Sequence, residues 1–368
     1  MNPYDILFYT FTFFLGACIG SFLNVCIYRM PRDLSVNEPK RSFCPNCKYQ
    51  IPWSHNLPLI SWLALGGKCG NCKTPISFRY FGVELLTAVL FLAVWHWSFE
   101  RAWILALPLW IMVSLFIVAT FIDFEHFIIP DEITWGGAIA GVLMSFAIPK
   151  LHGPNLTPLE SGLQSVIGAA AGYFLLWGVV EAGKLAFGKK RIAFPKGEAF
   201  TWTRHNDDAD LVVGEEKSLW SEFFSRPTDR LVMKCSIIEI NGERFENADA
   251  VFHFDRLQIG EKTWELIKLD TITGKLTEIV IPREAMGFGD VKYMACIGAF
   301  LGWKAVIFTL IAASMIGAVV GVLTLVIGKR EWSAKIPFGP YLSVGALIWL
   351  FAGPQIVAAY WELTHPVI

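Results

Sequence analysis

The chain is 368 residues long and nearly neutral, with 31 Lys and Arg against 32 Asp and Glu, yet 54% of it is hydrophobic and it carries 29 Phe and 15 Trp. Charged residues are only 17% of the total, and more than half of them fall between 188 and 285; soluble domains carry roughly 25%. This excludes disorder, a basic nucleic-acid binder and a single soluble globule, and leaves a multi-span membrane protein with polar insertions.

A bilayer-crossing helix needs about 20 mostly apolar residues. Charge-free windows at 6–28, 85–99, 102–122, 133–149, 161–180, 305–328 and 336–361 meet or approach that length. Between Lys292 and Lys304 only Tyr293 to Trp303 are uncharged, a short helix that spans only if the preceding turn dips into the membrane. The expected fold is therefore all-α and polytopic, with about eight transmembrane helices. Residues 1–29 form the first, 30–80 a cytoplasmic segment, 81–187 helices two to five, 188–285 a polar insert and 286–368 helices six to eight. The first window has no basic flank before it and no small-residue cleavage site after it, so it reads as a span rather than a signal peptide. Lys and Arg are concentrated in 29–80, 188–285 and 329–335. By the positive-inside rule these connections, with 123–132, face the cytoplasm and both termini lie outside.

Eight cysteines divide into two groups. Cys18, Cys26, Cys235 and Cys296 read as small packing residues. Cys44-Pro-Asn-Cys47 and Cys69-Gly-Asn-Cys72 are paired knuckles whose four sulfurs suit one tetrahedral structural zinc ion. Disulfides are the alternative, disfavoured in a reducing cytoplasm. The loop between the knuckles holds Trp53, Leu57, Leu59, Ile60 and Trp62, and is expected to lie against the membrane face.

Carboxylates at a membrane boundary are costly unless paired or hydrated, which makes them candidates for function. Asp123 directly follows the third window, where the end of a helix dipole disfavours an anion, so a purely structural role explains it poorly. Asp290 closes Gly287-Phe-Gly-Asp290 and opens the short helix, where it also suits a cap. Asp131 follows Pro130 and is expected to cap the next helix. Glu84, Glu181 and Lys184 lie where they can pair or snorkel, and Lys292 sits where it can offset Asp290. Gly287 and Gly289 would let a substrate backbone approach closely. Two carboxylates sharing one proton can activate water and protonate a carbonyl oxygen, which is what peptide hydrolysis requires. No Gly-x-Ser-x-Gly elbow or His-Glu-x-x-His metal site competes with that reading. The helix ends suggest Asp290 as the base and Asp123 as the acid.

Four stretches, taken in order, resemble the type IV prepilin (leader) peptidase family. They are Gly16-Ala-Cys-Ile-Gly20 running on to Arg29-Met-Pro31, the two knuckles followed by Arg79-Tyr-Phe-Gly-Val-Glu84, Ile122-Asp123 running to Ile129-Pro130-Asp131, and Gly287-Phe-Gly-Asp290-Val-Lys292. Pro337-Phe-Gly-Pro340 follows. The resemblance implies an inner-membrane aspartyl protease that cuts short basic leaders from prepilins or type II secretion pseudopilins, after a Gly, on the cytoplasmic side. It makes Asp123 and Asp290 the catalytic pair and Asp131 a supporting residue. It also implies S-adenosylmethionine-dependent N-methylation in many members, although no fingerprint for that donor is visible.

The family pattern has a short loop where this chain has 188–285. The second half of that insert carries strand signals around the hairpin dipeptide Asn241-Gly242, and 265–269 with 276–281 suggest another hairpin about Gly274. A β-rich module is expected there, with an unknown partner or a spacer role. Its net charge of −3 gives no support for binding nucleic acid or anionic lipid. Two rival classes remain: an ion- or proton-relay transporter, and a non-catalytic assembly or zinc-dependent scaffold protein.

Overall fold

A computed structural model describes residues 3–39, 41–187, 189–205, 208–224, 229–282, 286–328 and 337–365; the connection expected at 329–335 lies outside these. The chain divides into two compact units, one of residues 1–177 with 287–368 and one of 178–286.

The first unit is helical. Its helices are α1 (Pro3–Arg29), a short α2 (Ile60–Ala64), α3 (Phe78–Phe99), α4 (Ala106–His126), α5 (Asp131–Ala147), α6 (Pro158–Phe187), α7 (Phe288–Gly328) and α8 (Gly339–Thr364), the end of α6 running into the second unit. Six of these are long and apolar enough to cross a membrane among the described residues. α5, at 17 residues, falls just short of that length. α7 is interrupted at Gly302, whose φ of 79° breaks the helical path into 288–301 and 303–328.

Helices in lipid gain little from apolar contact alone, so close backbone approach through small residues holds them together. A Cβ on Gly16 would stand 2.8 Å from the Cα of Ala88, and one on Gly20 would stand 2.8 Å from the Cα of Glu84. These two glycines, one turn apart, seat α1 on α3. Gly168 and Gly298 do the same between α6 and α7, each facing the other's carbonyl. Cys296 is buried, with its sulfur 2.5 Å from where a Cβ on Gly137 would sit, while Cys18 is exposed rather than packed.

The second unit is an eight-stranded antiparallel sheet: β1 (Lys189–Arg204), β2 (Ala209–Val213), β3 (Glu216–Leu219), β4 (Leu231–Ile240), β5 (Glu243–Phe252), β6 (Arg256–Ile259), β7 (Lys262–Glu265) and β8 (Thr271–Pro282), in the order β3-β2-β1-β8-β4-β5-β6-β7. Asn241 and Gly242 both take positive φ and close the β4–β5 hairpin as expected. The hairpin expected about Gly274 does not form. Gly274 lies inside β8 because the carbonyl of Ile237 and the ring of Phe200 crowd the place a side chain would fill, a strand glycine's other use. The core is aromatic, with Trp220 edge-on to Trp202 and Phe252. The first and last strands pair along their length, Lys189 opposite Pro282.

Candidate active site and metal centre

The acidic site assembles where three helices end. α4 carries Asp123 in its last turn and stops at Phe127, which adopts a left-handed φ of 56° and donates its amide to the Asp123 carbonyl. The chain then runs through Ile129, which is buried, to α5. α7 begins at Phe288 and presents Asp290 in its first turn, so Asp290 is not its cap. Both carboxylates are buried, Asp123 5% and Asp290 8% exposed, although 166 residues separate them in sequence. Asp123 lies near enough to Asp290 for its charge to bear on that carboxyl.

A third element completes the site. α8 opens with Gly339, followed by Pro340, which has no N–H. The amides of Tyr341 and Leu342 are donated to the Phe338 carbonyl. The amide of Gly339 is donated to Asp123 Oδ2 at 2.9 Å. Thus a helix N-terminus, whose field favours an anion, faces the carboxylate at the end of α4, where the field disfavours one. With Oδ2 taken up by that amide, Oδ1 is the freer oxygen for a proton. The order of base and acid expected from the helix ends therefore loses its footing at Asp123. Gly339 is also required sterically, since a Cβ there would lie 2.8 Å from Asp123 Oδ2.

One turn along, Ser343 ties the arrangement together. Its hydroxyl lies 3.1 Å from the Gly339 carbonyl, 3.0 Å from Thr120 Oγ1 and 2.7 Å from Tyr293 OH. Thr120 precedes Asp123 by three residues and Tyr293 follows Asp290 by three, so Ser343 joins both aspartate-bearing helices on the faces that carry the carboxylates. Pro337-Phe-Gly-Pro340 was legible as a motif, but the roles of Gly339 and Ser343 were not.

The supporting residues are distributed differently from expectation. Asp131 is the first residue of α5 and not its cap; Pro130 holds the cap position with no side-chain bond. Lys292, expected to offset Asp290, instead donates to Asp131 Oδ1 at 2.6 Å, joining α5 to α7 beside the site. Gly289 is approached by the protein's own Ile129, 3.5 Å from where a Cβ would sit, and Gly287 lies equally near Asp290 Oδ2. At Gly289 the close approach serves internal packing. Glu84 is away from the pair: its Oε2 accepts the amide of Leu59 at 2.7 Å and fastens the loop before α2 to α3. Glu181 pairs with Lys184 at 2.7 Å, and Arg79 pairs with Glu125.

The four knuckle cysteines converge, with all four sulfurs within 4.8 Å of one another. All eight cysteines are free thiols, so the disulfide alternative is not adopted. The two knuckles repeat one local design. Cys44 N–H is donated to the Tyr49 carbonyl and Lys48 N–H to the Cys44 carbonyl; Cys69 N–H is donated to Thr74 and Lys73 N–H to Cys69 in the same way. Lys48 and Lys73 share a left-handed φ of 58°. Asn46 Nδ2 and Asn71 Nδ2 each reach a sulfur of the other knuckle at 3.8 Å. Hydrogen bonding with the Thr74 hydroxyl and amide holds the Cys72 thiol below its ordinary value, while Cys44 in the same cluster is held above its own; a metal ion would require all four sulfurs as thiolates. Zinc–sulfur bonds of about 2.3 Å place tetrahedral sulfurs about 3.8 Å apart; Cys44 and Cys72 are 3.7 Å apart. The donor set and its spacing fit a metal ion. Trp53 and Ile60 in the intervening loop are exposed, whereas Trp62 packs on Phe78 and Phe81.

A polytopic helical membrane protein that buries an acidic pair at converging helix ends, with a four-cysteine cluster between its first and third helices, is the class these features define. The sequence pattern described as "Bacterial Peptidase A24 N-terminal domain" matches residues 14–99, and that of the "Type IV leader peptidase family" matches 110–198 and 256–322. The chain belongs to the type IV leader peptidase family. The "Prepilin leader peptidase/N-methyltransferase" of Aeromonas hydrophila is 29% identical over 389 residues, covering 98% of this chain and 95% of that protein. Its namesake in Pseudomonas aeruginosa is likewise 29% identical, covering 98% and 96%. That of Myxococcus xanthus is 37% identical over 206 residues, 53% of this chain and 57% of its own. No solved structure matches the chain.

Proposed function

We propose that this protein is an aspartyl endopeptidase of the bacterial inner membrane that removes the leader from type IV prepilins or type II secretion pseudopilins. The observation that carries the reading is the burial of Asp123 and Asp290 as one charge-coupled pair, with the Gly339 amide fixed on Asp123. The pair shares one proton. The ionised carboxylate takes a proton from water, whose oxygen adds to the carbonyl carbon of the Gly at the leader's end. The protonated carboxyl gives its proton to the carbonyl oxygen; as the resulting diol collapses, the proton taken from water passes to the leaving nitrogen, one diol proton goes to the carboxylate that gave its own, and the C–N bond breaks to release the new amine and the leader's carboxyl group. Asp131 and Lys292 act as a strut between α5 and α7, Gly287 keeps the approach to Asp290 open, and Gly289 packs against Ile129.

Eight spans are proposed, with α7 counted as two across Gly302 and α5 counted as one. The domain reading is 1–29 as the first span, 30–80 as a zinc-binding cytoplasmic segment, 81–187 as spans two to five, 188–285 as an inserted module and 286–368 as spans six to eight. Both termini are periplasmic and the acidic pair faces the cytoplasm, as the distribution of Lys and Arg supports. Zn2+ is the metal of the Cys44, Cys47, Cys69 and Cys72 site, with a structural role, since four thiolates leave no open position. S-adenosylmethionine, when bound, supplies a methyl carbon to the new N-terminal amine: the C–N bond forms as the C–S bond breaks, sulfur keeps the electron pair, and the amine releases its proton.

The test is cleavage of a prepilin-like peptide by the purified protein in detergent, read by mass spectrometry. Asp123→Ala and Asp290→Ala must each abolish the product; cutting that persists in both would refute the aspartyl mechanism. No cleavage by the wild-type protein would instead favour a scaffold or transporter role.

A further inference from the structure

The acidic pair leaves unused the cavity that lies between the cysteine knuckles and the facing ends of α1 and α3. It is a space of about 370 Å³, within the range of small-molecule sites. Its geometry begins with the contact of Gly20 on the Cα of Glu84, one of the two glycine contacts between α1 and α3. Four residues beyond Gly20 comes Asn24, and four before Glu84 comes Tyr80. Asn24 Nδ2 donates to the Tyr80 carbonyl at 3.0 Å. That bond sets the amide's orientation, because the flipped form would oppose two oxygens. Asn24 is 3% exposed, it lines the cavity, and its Oδ1 accepts nothing within the protein. An unsatisfied buried acceptor is costly, and it asks for a donor or a cation.

The rest of the wall supplies a complementary set. Glu84 contributes a carboxylate and Arg29 a buried guanidinium, which is forked onto the carbonyls of Ser35, Val36 and Pro39. Tyr28, Tyr80 and Trp62 provide aromatic faces. A negative group, a positive group, an orphan acceptor and flat apolar walls together fit a ligand that is zwitterionic at one end and aromatic at the other. We infer that this cavity is the binding site of the methyl donor, taking the amino-acid end of S-adenosylmethionine between Arg29, Glu84 and Asn24 and its adenine against the aromatic wall. The inference rests on the methyl-transfer reading above and adds the site to it. It separates the two chemistries: cleavage at the ends of α4, α7 and α8, and donor binding between α1, α3 and the knuckles.

The experiment is calorimetric titration of the detergent-purified, zinc-loaded protein with S-adenosylhomocysteine, the stable product of the donor. Wild type should bind, Asn24→Leu should bind about 10- to 100-fold more weakly, as expected for losing a hydrogen bond to a charged group, and Val25→Trp should bind not at all because the indole fills the cavity. Zinc content and melting temperature report whether each variant is folded. Binding of equal strength in wild type and both variants would overturn the site while leaving methylation intact. No binding in wild type, together with an unmethylated cleavage product, would overturn the methyl-transfer reading and the site with it. If a basic leader peptide or phosphatidylethanolamine vesicles bind in an Asn24-dependent way and S-adenosylhomocysteine does not, the cavity belongs to substrate or lipid and the inference is wrong.

Discussion

The cysteine cluster and the acidic pair are built on opposite principles. Each knuckle is a local object: the backbone hydrogen bonds made by its first cysteine stay within five residues, and the two copies repeat them. The acidic pair has almost no local content. Asp123 finds its amide donor 216 positions away at Gly339, and Lys292 finds Asp131 across 161. A site made of local turns survives changes in the surrounding packing. A site made of converging helix ends depends on every helix that positions it, and small displacements there are expensive.

The largest expected effect breaks the pair itself. Asp123→Asn or Asp290→Asn should lower prepilin cleavage by about 10²- to 10⁴-fold while leaving zinc content unchanged, measured by peptide mass spectrometry and metal analysis. The converse change sharpens the contrast. Cys69→Ser should lose the bound zinc and lower the melting temperature, since metal binding is coupled to folding of the loop; a variant that keeps one zinc per chain would break the proposed ligand set. Next comes the donor on α8. In Gly339→Ala the added methyl meets Asp123 Oδ2 at 2.8 Å, and cleavage should fall roughly 10- to 100-fold with the fold retained. Wild-type rates in that variant would show that Gly339 does not position Asp123.

Smaller effects follow. Ser343→Ala removes the bridge between Thr120 and Tyr293 and should cost about 3- to 10-fold in rate, the scale of one modest hydrogen bond. A flat result would confine Ser343 to packing. Smallest of all is replacement of 189–282 by a short Gly-Ser linker. The first and last strands of the module lie side by side, so it leaves the chain near where it enters and resembles a loop insertion. Cleavage should change by less than about 2-fold. A complete loss would mean that the module takes part in substrate handling.

The module also shows how far local patterns reach. Asn241-Gly242 was readable because both positions adopt positive φ within the dipeptide itself. Gly274 was misread for the complementary reason. A glycine at a turn and a glycine beneath a neighbouring ring look alike in sequence, and only the approach of Ile237 and Phe200 distinguishes them. Asp131 and Lys292 repeat the lesson: a Pro-Asp before a helix suggests a cap, but a cation from another helix claimed the carboxylate.

What the amino-acid order determined alone was whatever depends on near neighbours or on solvent preference. The membrane class follows from apolar run length, the knuckles from cysteine spacing, and the candidacy of Asp123 and Asp290 from the cost of charge at a membrane edge. What tertiary structure decided was which groups meet: Gly339 on Asp123, Ser343 between the two aspartate helices, Lys292 on Asp131, and Asn24 over a cavity with an acceptor to spare. The physical reason is reach. A hydrogen bond or a charge pair acts over a few ångströms, and residues more than a hundred positions apart come within that distance only once the helices have packed.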